Sequence, residues 1–162
     1  MCRQQTMINE NRNDQTIKQK IVLSHLAIPS KEWAAGVLVA AGTLTFSTSK
    51  KELLPAFVAK LGAEKRGLLI AAVAGLGLKN KVYLHKPRKQ GSRPEAILTI
   101  RDLGQLKNKI LPVLHSGLFV GKHTMLQDWL WKIENDERVP NRYKILHKLY
   151  QGPIYCNKLK DG

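Results

Sequence analysis

Apolar and polar residues alternate along the chain with two different periods, and these periods predict helices and strands. Residues 33–42 are almost all small and apolar, which predicts a closely packed helix that begins at the capping residue Ser30. Residues 43–49 then alternate, with Leu44 and Phe46 on one face and Thr or Ser on the other. This pattern predicts a strand with one buried and one polar face.

Both strands and helices are also predicted in the rest of the chain. The same reasoning predicts strands over residues 53–60, 81–86 and 95–100, and helices over residues 63–76, 102–111, 125–133 and 141–150. The order is helix, strand, strand, helix, strand, strand, helix, followed by two more helices. This order predicts an α+β fold in which helices back one face of a four-stranded antiparallel sheet and leave the other face open.

Composition divides the chain into three parts. Residues 1–28 are polar and rich in Gln and Asn, which is typical of an extended arm. Residues 29–136 hold the predicted sheet and most of the helices. Residues 137–162 form a basic, helical C-terminal extension. With 43% hydrophobic residues overall, the chain has enough apolar material for a folded core.

The formal net charge of +15 is large for 162 residues and predicts a polyanionic partner. Nucleic acid is the first candidate and an anionic membrane surface the second. The longest apolar stretch is too short to cross a bilayer, so we expect no membrane partner. The two Cys and five His residues lack metal-ligand spacing. We therefore expect neither a metal nor a cofactor.

The strongest local charge lies in residues 79–93, which contain no acidic residue. A basic hairpin with interleaved aromatic rings is typical of segments that clamp a nucleic-acid backbone and stack an unpaired base. A solvated loop is the alternative. The candidate nucleic-acid-binding residues of this segment are Lys79, Lys81, Tyr83, His85, Lys86, Arg88, Lys89 and Arg93.

Three features in order resemble the LAGLIDADG homing-endonuclease family over roughly residues 30–135. The first is the small-residue helix that runs into Gly42, which resembles the signature segment of the family. The second is the Ile-Arg-Asp-Leu run at residues 100–103, and the third is the segment 111–133, with its Gly-Lys-His entry to a Trp-containing helix. The predicted order of helices and strands is also the order of that family.

The resemblance implies roles for two surfaces. In the family the open sheet face lies along nucleic acid, which adds Thr43, Thr45, Ser47, Ser49 and Lys60 to the candidates, together with Lys122, which matches a basic residue of the family's active site. Members with one motif pair through the signature helix. This implies an interface at Ala35, Gly36, Val39 and Ala40, either with a second copy or with another protein.

This chain departs from the family at the positions that would hold the catalytic metal ion. The family's nucleases hold a divalent cation with acidic residues at the foot of the signature helix, and the matching positions here are Val39 and Ala41. Glu32 lies roughly 14 Å away along a helix and cannot take their place. We therefore expect a degenerate member of the family that is not an enzyme.

These observations lead to one hypothesis and two alternatives. The hypothesis is a non-catalytic protein bound to structured RNA in a mitochondrion, or in a chloroplast, where the RNA is ribosomal RNA or a group I intron served by a maturase. The first alternative is an active DNA endonuclease with a relocated metal ligand. The second is a scaffold subunit that pairs through the signature helix.

Overall fold

The computed structural model describes residues 27–87, 89–116 and 122–150, and it contains one four-stranded sheet. All neighbouring strands are antiparallel, in the order β1-β2-β4-β3. The predicted α+β class and the four-stranded antiparallel sheet are confirmed. The strands are β1 (Gly42–Ser49), β2 (Glu52–Gly62), β3 (Val82–His85) and β4 (Glu95–Ile100).

Of the helices in the described residues, one precedes the first pair of strands, one lies between the two pairs, and the others follow the second pair. None of those in the described ranges is long and apolar enough to cross a membrane. They are α1 (Lys31–Ala41), α2 (Arg66–Gly75), α3 (Leu103–Gln105), a π-helical segment (Leu106–Ile110), α4 (Leu111–His115), α5 (His123–Asn135) and α6 (Lys144–Tyr150), with 3-10 turns at Ala63–Lys65 and Asn141–Tyr143.

The core lies between the helices and one face of the sheet. Leu44, Phe57 and Ile100 sit opposite one another on three neighbouring strands, and each is at most 8% exposed. Residues directly opposite in paired strands share a face, so this row defines the buried side. Ser30 accepts a hydrogen bond from the Trp33 N–H at 3.2 Å and caps α1, as its position in the sequence predicts.

Helices α1 and α2 approach closely at Gly75. A Cβ atom at Gly75 would lie 2.7 Å from the Cβ of Ala34 and 3.1 Å from the carbonyl oxygen of Pro29. The absence of a side chain at residue 75 therefore permits this helix pair to form. Gly36 is different, because a Cβ there would meet no atom of the described chain within 4 Å.

The first part of the C-terminal extension belongs to the same core. Val139, Tyr143 and Leu146 are at most 5% exposed and lie in the same hydrophobic cluster as Phe57. The hydroxyl of Tyr143 donates to the carbonyl oxygen of Arg101 at 3.0 Å. The predicted boundary after residue 136 thus does not separate two packing units. Residues 1–26 of the predicted arm and residues 151–162 lie outside the described residues.

A proline explains the π-helical segment and its contact with α6. Pro112 has no N–H to donate, and its ring disfavours ordinary helical pairing with the preceding turn. The Leu111 N–H donates to the carbonyl of Leu106, five residues back, so the carbonyl of Lys107 loses its usual partner. The hydroxyl of Tyr150 replaces it and donates to the Lys107 oxygen at 2.7 Å.

Tyr150→Phe should lower the free energy of unfolding by about 1–2 kcal/mol, because it leaves the Lys107 carbonyl without a donor. Urea denaturation measures the change. Tyr83→Phe is the matched control, since it removes a hydroxyl from a ring that is 66% exposed. This control should stay within about 0.5 kcal/mol of the wild type. Equal effects of both substitutions would contradict the role of Tyr150.

The Tyr150 hydroxyl should also make the difference in unfolding free energy between wild type and Tyr150→Phe depend on pH. Burial raises the pKa of Tyr150 above its ordinary value of 10.0. The unfolded chain therefore loses this proton first as the pH rises, so the stabilisation is complete below about pH 10 and declines above it. The stability gap between wild type and Tyr150→Phe should narrow above pH 10, measured by urea denaturation at several pH values.

Candidate nucleic-acid interface

The face of the sheet opposite the core is open and carries most of the predicted binding residues. The register places Thr43, Val58 and Thr99 in one row across three strands. A second row contains Lys60, Ile97 and Tyr83. Lys60 and Tyr83 are exposed, as are Lys81 and His85 beside them. The structure thus brings four of the predicted residues together at the β3 side of this face.

The centre of the open face is apolar, which the sequence analysis missed. Leu54, Ala56 and Val58 project from β2 on this side, and Ile97 projects from β4. Ala56 is fully buried and the others are half-buried. The strand β2 reads as an almost continuous apolar run, so the alternation that would have revealed these residues is hidden in the sequence.

The β1 side of the face is less available than predicted. The Thr43 hydroxyl donates to the Met125 sulfur at 3.4 Å, and the Trp129 indole N–H donates to the carbonyl of Thr45 at 2.9 Å. The hydroxyl oxygen of Ser47 is buried. Helix α5 lies along this edge of the sheet and covers part of β1. Ser47 is therefore a poor candidate for contact with nucleic acid, whereas Thr43 and Ser49 remain exposed.

The basic turn between β3 and β4 forms a cleft of about 570 Å³. Its lining includes His85, Lys89 and Arg93, with Glu95 as the one acidic member. Lys86 is exposed next to it, and Arg88 lies outside the described residues. Lys79 is exposed in the loop before β3, where its backbone N–H donates to the Gln105 side chain at 2.9 Å. The part of the predicted basic segment with His85, Lys89 and Arg93 therefore lies at one end of the sheet, where β3 ends and β4 begins.

A second set of cations at the opposite end was not among the predicted residues. Lys50 and Lys51 form the turn between β1 and β2, and Arg101 follows β4. All three are exposed. In the sequence, two adjacent lysines in a predicted turn are the only feature that indicates this second set of cations. Positive charge thus lies at both ends of an apolar centre.

Arg138 does not add uncompensated positive charge to the end of the open face that carries Lys50 and Lys51. Its guanidinium contacts the Asp136 carboxylate with two hydrogen bonds of 3.0 and 2.8 Å. The side-chain and backbone hydrogen bonds from Arg138 lower the pKa of Asp136 to about 2. The carboxylate therefore stays ionised at neutral pH and compensates the charge of Arg138.

Among the described residues, a lysine lies at the foot of α1, and the side chains at positions 39 and 41 carry no carboxylate. The Lys122 ammonium donates to the carbonyl of Gly42 at 2.8 Å, at the junction of α1 and β1. Val39 is 4% exposed, and neither it nor Ala41 offers an oxygen ligand. A magnesium ion therefore does not fit these two positions. Among the described residues no group of three or more His, Cys, Asp or Glu side chains is placed to hold a metal ion.

The predicted interface residues of α1 divide between three environments. Gly36 and Ala40 lie on an open side of the helix that also carries Trp33, which is 41% exposed. Ala35 is half-buried and lines a cleft between α1 and α4. Val39 packs in the core of its own chain, so it is not an interface residue. Fewer of the predicted interface residues of α1 are therefore available for contact with a partner.

Solved structures show the fold that this chain shares. The group I intron-encoded homing endonuclease I-CeuI, complexed with DNA, matches 82% of this chain and 72% of its own at 19% identity and a TM-score of 0.50. A lysine mutant of I-SmaMI matches 78% of this chain and 44% of its own, at 18% identity and a TM-score of 0.50. No protein-family model and no curated protein sequence matches the chain.

A third solved structure is also described as a homing endonuclease bound to DNA. The LAGLIDADG homing endonuclease I-GzeII, in complex with its DNA target, matches 78% of this chain at 18% identity and a TM-score of 0.49. This chain spans 44% of the length of I-GzeII. It therefore corresponds to less than half of that structure and of I-SmaMI, and to most of I-CeuI.

These comparisons correct one expectation. We expected a protein that is not an enzyme, but I-CeuI, which matches at a TM-score of 0.50, is described as a homing endonuclease, and the shared fold is thus a nuclease fold. The apolar residues at positions 39 and 41 do not justify the expected lack of enzyme activity. The order of helices and strands, the sheet topology and these neighbours agree: the chain has the LAGLIDADG homing-endonuclease fold.

Proposed function

We propose that the chain binds double-stranded DNA along the open face of its sheet, as one of two paired subunits of homing-endonuclease type. The observation that supports this most directly is the placement of cations at both ends of that face, with Lys60 and Lys81 at one end and Lys50 and Lys51 at the other. Two groups of cations separated by an uncharged centre suit contacts to the phosphate backbones of a nucleic acid.

Pairing would use the open side of α1. Trp33, Gly36 and Ala40 follow one another at helical spacing, and nothing in the described chain fills the space next to Gly36. Small residues at such a position allow two helix backbones to approach closely. This chain spans 44% of the length of I-SmaMI, and in the proposed pair a second copy would supply the remainder of such an arrangement. Another protein with the same fold is the alternative partner.

Gly36→Leu tests the pairing. In a single chain the new side chain meets open space, and replacing a helical glycine should stabilise α1 by up to about 1 kcal/mol. In a pair it would block the close approach, so the mass measured by light scattering after gel filtration should fall from two chains to one. Gly67→Leu in α2 is the control, because a Cβ there also meets nothing within 4 Å. An unchanged two-chain mass for Gly36→Leu would argue against pairing through this side.

Structured RNA is the second candidate partner. Strands β1 to β4 contain no Arg, Asn or Gln, the side chains that best read base edges in the major groove of DNA. Lys, Thr and Ser side chains suit backbone and sugar contacts, which structured RNA also offers. Under this candidate the RNA would be ribosomal or a group I intron, in a mitochondrion or a chloroplast.

Binding should depend steeply on salt whichever nucleic acid is bound. A face that makes roughly six phosphate contacts loses about a thousandfold in affinity between 50 and 200 mM salt. Fluorescence anisotropy with a DNA duplex and a structured RNA at several salt concentrations measures both affinity and slope. Tighter binding of the duplex supports the proposal, and tighter binding of the RNA supports the second candidate.

Lys60→Gln combined with Lys81→Gln should weaken binding severalfold and reduce the salt slope by about two, because each lysine neutralises one phosphate. Lys65→Gln combined with Lys109→Gln is the matched control, since both lysines are exposed in the helical layer. Equal effects of the two double variants would contradict binding on the open face. Cleavage is scored in the same samples after addition of Mg²⁺, and cut strands would assign nuclease activity.

A further inference from the structure

Tyr83 is unusual among the described tyrosines. Its side chain is 66% exposed on the open face, whereas Tyr143 and Tyr150 are buried or half-buried and donate their hydroxyls to backbone carbonyls. The ring of Tyr83 is therefore neither part of the core nor needed for a backbone contact. It lies on β3, the outermost strand of the sheet on that side.

The surroundings of Tyr83 combine a flat aliphatic surface with positive charge. Ile97 sits directly opposite on β4 and Lys60 follows it on β2, so the three residues form a row across the sheet. Ile97 is half-buried, while Lys60 and Lys81 are exposed. Around the outer edge of β3, Tyr83 and Lys81 also line a cleft of about 370 Å³ with Arg66.

A second exposed aromatic residue shows what is special about this position. Trp131 is 65% exposed, but the cleft that it lines contains two carboxylates, Asp136 and Glu137, beside two cations, Lys132 and Arg138. The formal charges of that lining cancel. The cleft beside Tyr83 contains Arg66 and Lys81 and no acidic residue among its lining side chains. Exposed aromatic surface and net positive charge therefore coincide at Tyr83 and not at Trp131.

We propose that Tyr83 is a stacking platform for an unpaired base of a nucleic-acid strand whose phosphates lie at Lys60 and Lys81. This inference rests on the proposed function, because it assumes that the open face binds nucleic acid. Stacking on an aromatic ring is open to every base, and cations at the rim attract the backbone without reading sequence. The substrate would thus contain an unpaired segment next to the outer strand β3, and recognition there would tolerate sequence changes.

Two substitutions at one position test the stacking. Tyr83→Ala removes the ring, and Tyr83→Phe keeps it without the hydroxyl. The probes are fluorescein-labelled oligo(dT) and oligo(U) of about 12 nucleotides, and a blunt DNA duplex of the same length. We expect Tyr83→Ala to bind both single strands roughly 5- to 150-fold more weakly, which corresponds to one stacked base. Tyr83→Phe should bind them as the wild type does.

Trp131→Ala is the control for loss of an equally exposed ring, and it should leave the affinity for all three probes unchanged. A smaller effect of Tyr83→Ala on the blunt duplex than on the single strands supports stacking. Equal losses on all three probes, or unchanged binding of the single strands by Tyr83→Ala, would overturn the inference. The proposed function fails separately, if the wild-type protein does not bind the blunt DNA duplex at low salt.

Discussion

The contact between Phe57 and the junction of α1 and β1 sets how the first helix meets the sheet. Phe57 lies in the central strand pair and is 1% exposed. A Cβ atom at Gly42 would lie 2.1 Å from its ring and 2.5 Å from the carbonyl oxygen of Leu38. Only a residue without a side chain fits there. Because β1 begins at the residue that follows α1, this contact fixes the direction of the helix relative to the sheet.

Both candidate surfaces depend on that junction. The open side of α1, around Gly36, points away from α2 because Ala34 packs against Gly75 on the opposite side. The open face of the sheet is the side of β1 and β2 that faces away from Phe57. Lys122 reaches the same junction through the Gly42 carbonyl. The proposed pairing surface, the proposed binding face and a half-buried lysine contact are therefore organised around one point.

Packing at the foot of α1 does not require oxygen-bearing side chains. Val39 contributes to the core with its methyl groups, and Ala41 packs against the same core. Apolar residues at positions 39 and 41 are therefore compatible with this fold, and the fold by itself does not specify the chemistry at these positions. On the open face of the sheet, exposed cations lie around an apolar centre formed by β2 and β4.

The sequence alone determined the α+β class, the order of helices and strands, the helix cap at Ser30 and the basic segment near β3. These features follow from local periodicity, capping and charge, which are properties of neighbouring residues. Only the tertiary structure decided that Val39 and the hydroxyl oxygen of Ser47 are buried, that Leu54 and Val58 line the open face and that residues 137–150 complete the core. Each depends on which element packs on which face, and contacts between residues distant in sequence decide that. The apolar run of β2 illustrates the reason, because a central strand with apolar residues on both sides gives no periodic signal of which side is open.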